Sequence, residues 1–126
     1  MVKLNGYSLT LAQAQRILYE FEQVEVSPES LQRVEASRRA VEKIVAENKI
    51  AYGINTGFGK LSDVLIDPKN VEKLQLNLIR SHACGTGEPF PEVVSRAMLL
   101  LRANALLKGY SGVRREVIDS LLAFLN

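Results

Sequence analysis

Between Ala97 and Leu107 only Arg102 and Asn104 interrupt a run of apolar side chains, and a helix over these residues is apolar on nearly every side. Crossing a bilayer core takes about 20 apolar residues. This run is too short for that, so it is expected to be a helix buried against several neighbours. Pro91 opens it, and Gly109 follows Lys108 as a carboxy-terminal cap.

Other segments repeat the helical spacing. Thr10 can cap a helix from Leu11 to about Glu22, with Leu11, Ala14, Ile17, Leu18 and Phe21 on one face. Ser27-Pro28-Glu29 is a stronger start. A serine oxygen accepts from free amides, proline needs no amide partner at the first position, and glutamate suits the positive end of the dipole. Leu31, Val34, Val41, Ile44 and Val45 then follow to about Asn48, with Arg38, Arg39, Glu42 and Lys43 on other faces. Asp67-Pro68 starts another helix, with Val71, Leu74 and Leu78 on its buried side, broken by Gly85 and Gly87. A last helix from about Gly112 shows a stripe of Val113, Val117, Leu121 and Leu125, flanked by Ile118, Leu122 and Phe124. That stripe meets no later partner, which points to a chain cut from something larger. Asn5-Gly6, amid alternating apolar and polar residues, favours a tight turn. The expected fold is mainly α: one helical domain over residues 1–126, with a short amino-terminal hairpin or extended arm.

Composition narrows the function classes. Sixteen basic and 14 acidic residues give a net charge of +2 without a basic stripe. Nucleic acid and anionic membrane surfaces are therefore not expected partners. The single cysteine, Cys84, rules out an internal disulfide framework and fits a reducing cytoplasm. The opening Met1–Gly6 segment lacks the apolar run of a signal peptide.

Three segments are candidates for chemistry. In Tyr52-Gly53-Ile54-Asn55-Thr56-Gly57-Phe58-Gly59 the helical periodicity disappears and three of eight residues are glycine. Glycines allow positive φ and close approach to a ligand, and here they leave Tyr52 as an exposed phenol. The spacing fits neither a dinucleotide fingerprint nor a P-loop. On spacing alone the simpler reading is a flexible connection with a tyrosine packed at its edge. Ser81-His82-Ala83-Cys84-Gly85-Thr86-Gly87-Glu88-Pro89 holds the only histidine. A lone histidine near a helix end more often caps the last carbonyls than reacts. No cluster of ligand side chains accompanies it, so no metal is expected. Neighbours in sequence rarely face each other, which disfavours a His82–Cys84 nucleophilic pair. Lys108-Gly109-Tyr110-Ser111-Gly112-Val113-Arg114 reads as a structural corner, with Ser111 capping the final helix. Arg114 and Arg115 in a first helical turn are more often solvated or paired with acidic neighbours than carboxylate ligands.

Taken together, the segments Tyr52–Gly59, Leu76–Pro89 and Gly109–Arg114 resemble the aromatic amino-acid ammonia-lyase family, in its order and spacing. The likeness extends more weakly from Leu4-Asn5-Gly6 across the chain. Ser81-His82 resembles the histidine-specific branch, whereas tyrosine-preferring relatives resemble His-Leu there and phenylalanine-preferring ones Phe-Leu.

The resemblance implies non-oxidative conversion of L-histidine to trans-urocanate and ammonia. It implies Tyr52 as the acid/base on a glycine-rich active-site loop of Gly53, Asn55, Thr56, Gly57 and Gly59, and Ser81 and His82 as substrate-binding residues. A phenol titrates near about 10 unaided, so such a base needs positive surroundings or a helix dipole. The implied cofactor is a methylidene-imidazolone formed from an internal Ala-Ser-Gly. No Ala-Ser-Gly occurs in these 126 residues: Ser111-Gly112 follows Tyr110, and Ala36-Ser37 precedes Arg38. The segment is therefore expected to be an amino-terminal piece, inactive alone. Its implied partners are L-histidine, the remainder of the lyase polypeptide and the other subunits of a homotetramer. The rival expectations are a related tyrosine or phenylalanine lyase or aminomutase, and a non-catalytic truncated paralogue that binds a partner.

Overall fold

The computed structural model describes every residue except Phe58, Ser62, Asp63 and Leu65, and only the backbone of Leu61, Pro68 and Val71. The mainly helical expectation holds. The described residues form strands β1 (Val2–Leu4) and β2 (Val24–Val26) and helices α1 (Leu11–Tyr19), α2 (Pro28–Ala46), α3 (Pro68–His82), α4 (Glu92–Leu106) and α5 (Arg115–Leu125). They divide into two compact units, residues 1–40 with 90–126, and residues 41–89.

In the first unit the Asn5-Gly6 hairpin does not form; the extended alternative does. β1 runs parallel to β2, pairing Val2 with Val24, Lys3 with Glu25 and Leu4 with Val26. Val2 and Leu4 are buried while Lys3 is exposed and reaches Glu25 at 3.4 Å, the two-residue alternation of a strand. Parallel strands need a crossover between them, and α1 supplies it. Instead of a hairpin, Asn5 Oδ1 accepts from the amides of Tyr7 and Ser8 at 2.9 Å. Gly6 adopts φ +87°, and a Cβ there would lie 2.9 Å from the Lys108 amide nitrogen.

Thr10 caps α1 reciprocally with Gln13: the Gln13 amide donates to Thr10 Oγ1 at 3.2 Å, and the Thr10 amide to Gln13 Oε1 at 2.9 Å. The helix stops earlier than its apolar spacing suggests. Phe21, at φ +57°, turns the chain back toward β1. Leu11 is 87% exposed and Phe21 59%, so the buried face of α1 is Ile17 with Ala14 and Leu18 partly covered. Arg96 on α4 secures this end. It donates to the Leu125 and Ile17 carbonyls at 2.7 and 2.8 Å, and its guanidinium lies 4.5 Å from the Phe21 ring centroid.

Ser27 begins α2 as expected, accepting from the Ser30 amide at 3.3 Å. Arg38 is partly buried and donates to the Gly112 carbonyl at 3.4 Å. α4 buries Leu100, Ala103 and Leu106, while Met98 and Leu101 stay more than half exposed. Its apolar surroundings are therefore one-sided within this unit. The α5 stripe is also rotated from its expected position: Ile118, Leu122 and Leu125 are buried, with Val117 and Phe124 outside. This face packs on the earlier elements α4 and β2. Ser111 does not cap α5; Arg114 holds the N-cap position and makes no side-chain cap bond.

Candidate active site

The second unit carries both leading candidate segments. α2 ends where Asn48 takes φ +51° and the Lys49 amide donates to the Ile44 carbonyl at 3.1 Å. Left-handed backbone is uncommon outside glycine, and asparagine tolerates it best among the rest. Residues 51–55 then form a tight turn. The Ile54 and Asn55 amides donate to the Ala51 carbonyl at 3.1 and 3.3 Å.

Tyr52 sits in that turn, 64% exposed. Gly53 beside it has φ +76° with nothing within 4 Å of a built Cβ, a place where the backbone conformation rather than crowding favours glycine. Asn55, Thr56 and Gly57 are buried. Asn55 Oδ1 accepts from the Ala51 amide at 2.9 Å, and Nδ2 donates to the Lys49 carbonyl at 2.8 Å. The returning chain is tied to the same residues: the Ile66 amide donates to the Asn55 carbonyl at 2.9 Å and the Gly57 amide to the Val64 carbonyl at 3.2 Å. Gly59, at φ +58°, opens a short 3-10 turn to Leu61. Phe58 lies outside the described residues.

Asp67 caps α3, accepting from the Lys69 amide at 2.9 Å. Leu74 and Leu78 are partly buried; the expected contribution of Val71 lies outside the described side chains. The helix ends at His82, before the glycines expected to break it. Here the capping reading of His82 applies: its Nδ1 lies 2.9 Å from the Leu78 carbonyl oxygen and 3.0 Å from Ser81 Oγ. A carbonyl only accepts, so the Nδ1 contact assigns the ring hydrogen to Nδ1. In the neutral ring Nε2 then holds the lone pair. Ser81 Oγ donates to the same carbonyl at 3.0 Å. Ser81 and His82 thus share one backbone acceptor. Cys84 is exposed, its thiol 3.7 Å from the His82 carbonyl oxygen. No group of three or more His, Cys, Asp or Glu side chains is placed to hold a cation among the described residues.

The sequence profile described as aromatic amino acid lyase matches residues 9–126. The chain belongs to the aromatic amino acid lyase family. One relative of this lyase segment, the histidine ammonia-lyase of Bacillus velezensis, is 68% identical over 126 residues, all of this chain and 25% of that protein. The crystal structure of histidine ammonia-lyase from Trypanosoma cruzi matches at 42% identity and a TM-score of 0.86, covering 98% of this chain and 24% of the other. Ergothionase from Treponema denticola, an ergothioneine-degrading enzyme, matches at 33% identity and a TM-score of 0.92, covering 99% of this chain and 25% of the other. The segment therefore spans about a quarter of the length of the relatives it matches. Among its described residues no helix is long and apolar enough to cross a membrane.

The third candidate segment has a packing role in the first unit. Gly109, at φ +79°, passes so close to α2 that a Cβ would lie 2.7 Å from Arg33 Cβ. Gly112 donates its amide to Ser37 Oγ at 2.9 Å. Arg115 pairs with Asp119 at 3.2 Å, the acidic neighbour that first-turn arginines commonly find. A separate groove of about 410 Å³ in this unit is lined by Phe90, Ser95, Met98, Leu99 and Arg102, and none of the candidate site residues lines it. Periodicity did not expose the clamp made by Asn55. The available signal was an amide side chain among glycines, the residue type that bonds its own backbone in turns.

Proposed function

We propose that this chain is the amino-terminal portion of a cytoplasmic histidine ammonia-lyase, which converts L-histidine to trans-urocanate and ammonia. The observation that carries the reading is the Ser81-His82 pair. It lies within a segment 68% identical to a histidine ammonia-lyase, and its Nδ1–H is engaged by the Leu78 carbonyl. With Nδ1 so held, Nε2 is an acceptor suited to a substrate imidazole N–H. Such a partner discriminates against analogues whose ring cannot donate.

Tyr52 is assigned the acid/base role. Its phenolate takes the substrate β-proton while the α-amine departs, and the Cα–Cβ double bond forms from the C–H electron pair. Glycine on its carboxy-terminal side and a clamped base favour a tip that can move over substrate and exclude water. Gly53, Asn55, Thr56, Gly57 and Gly59 shape that loop. When present, the family's methylidene-imidazolone supplies an electrophile. The Ala-Ser-Gly that forms it occurs nowhere in these residues, so this segment does not fit as its source. The remainder of the lyase polypeptide and the other copies of a homotetramer are the proposed sources of the missing groups, which leaves this segment inactive alone.

The test is a chimera in which this segment replaces the matching quarter of the Bacillus velezensis enzyme. Urocanate formation followed by ultraviolet absorbance is the expected outcome. His82→Leu should lower kcat/KM for L-histidine by about 10- to 100-fold, the loss of a hydrogen bond to the substrate ring. Unchanged kcat/KM would remove His82 from recognition.

A further inference from the structure

Tyr52 is presented by a turn whose two feet are joined by one side chain. Asn55 is only 7% exposed. Its Nδ2 donates to the Lys49 carbonyl ahead of the turn at 2.8 Å, and its Oδ1 accepts from the Ala51 amide at 2.9 Å. Its backbone is also fully used, donating to the Ala51 carbonyl at 3.3 Å and accepting from the Ile66 amide at 2.9 Å. Between these anchors, Tyr52 and Gly53 are exposed. The turn therefore has a fixed base and a solvent-exposed tip.

We propose that Asn55 is a positioning residue for Tyr52: its amide locks the base of the turn, so that the phenol swings from a fixed point. The inference rests on the reading of Tyr52 as the acid/base. The chemistry requires an amide. Aspartate has the same shape and keeps an acceptor for the Ala51 amide, but it opposes an oxygen to the Lys49 carbonyl. Alanine loses both bonds. Misplacing a reacting group by about 1 Å can cost 10²-fold in rate, so loss of the clamp should appear in kcat more than in KM.

The experiment is a double-mutant cycle in the active chimera, using Tyr52→Phe with Asn55→Ala and Asn55→Asp. Each Asn55 variant should lower kcat by about 10- to 100-fold with KM within about threefold. The same Asn55 change should have almost no effect in the Tyr52→Phe background, because residues acting as a unit are not additive. Amide hydrogen exchange should show Ala51 losing protection in Asn55→Ala and keeping it in Asn55→Asp. A Tyr52→Phe enzyme of full activity would instead refute the acid/base reading itself. If Tyr52→Phe is impaired while the Asn55 variants are fully active, or slow both backgrounds by the same factor, the positioning role is overturned. Failure of both Asn55 variants to fold would likewise overturn it, assigning the residue to the fold.

Discussion

Glu22 shows how a single residue ties the amino terminus to α1. Its carboxylate accepts from the terminal ammonium at 2.8 Å and from Arg16 Nε at 2.6 Å. Donation from the ammonium, then from Arg16, holds its pKa below the ordinary glutamate value. A lowered folded pKa means that the folded state binds the charged form better. The resulting stability is complete above the ordinary glutamate range and is lost as pH falls through the lowered value. Melting temperatures across the acidic range should therefore drop less steeply for Glu22→Gln than for the parent. Both partners are solvated, so added salt should shrink the difference. Parallel acid limbs for the two proteins would discard the linkage. Gly109 offers a steric case. Gly109→Ala adds a Cβ within 2.8 Å of the Arg33 carbonyl carbon at a backbone φ of +79°. A cost of about 1–3 kcal/mol is expected for a side chain held in that conformation, measurable as a lower urea midpoint with an unchanged slope.

At the level of elements, the helix starts were the most legible features because their signals are local. Thr10, Ser27 and Asp67 accept the amides that their sequence contexts suggested. Thr10→Ala should destabilise the first unit by about 1 kcal/mol, the usual worth of such a cap. Thr10→Ser should restore most of it, and equal melting of all three proteins would show that the cap contributes nothing. Features set by distant partners were not legible. Val24-Glu25-Val26 is too short for a periodic signal, and its pairing with Val2–Leu4 depends on the reversal at Phe21. Likewise, helical spacing identified α5 but not its inward face, since Ile118 and Val117 are equally apolar and only the position of α4 decides between them. In the candidate site, glycine spacing located the loop. The Asn55 bonds to Lys49 and Ala51 required coordinates, because a side-chain amide has several local backbone groups within reach.

For the whole molecule, the two units differ in what they carry. The unit of residues 41–89 contains Tyr52, Ser81 and His82, while that of residues 1–40 and 90–126 contains the larger apolar core. The latter unit also leaves Met98, Leu101 and Phe124 more than half exposed on α4 and α5. Under the proposed function these side chains are surfaces for the remaining lyase polypeptide, in keeping with a chain that spans about a quarter of its relatives. The proposed function requires that this segment supply the acid/base of a histidine-specific lyase. L-Histidine turnover, compared between the parent chimera and its Tyr52→Phe variant, tests that requirement. Urocanate is expected from the parent, with kcat lower by about 10²- to 10⁴-fold in the variant, the usual contribution of a positioned acid/base. Equal turnover by the two proteins, or a parent chimera that deaminates tyrosine or phenylalanine in preference to histidine, would contradict it.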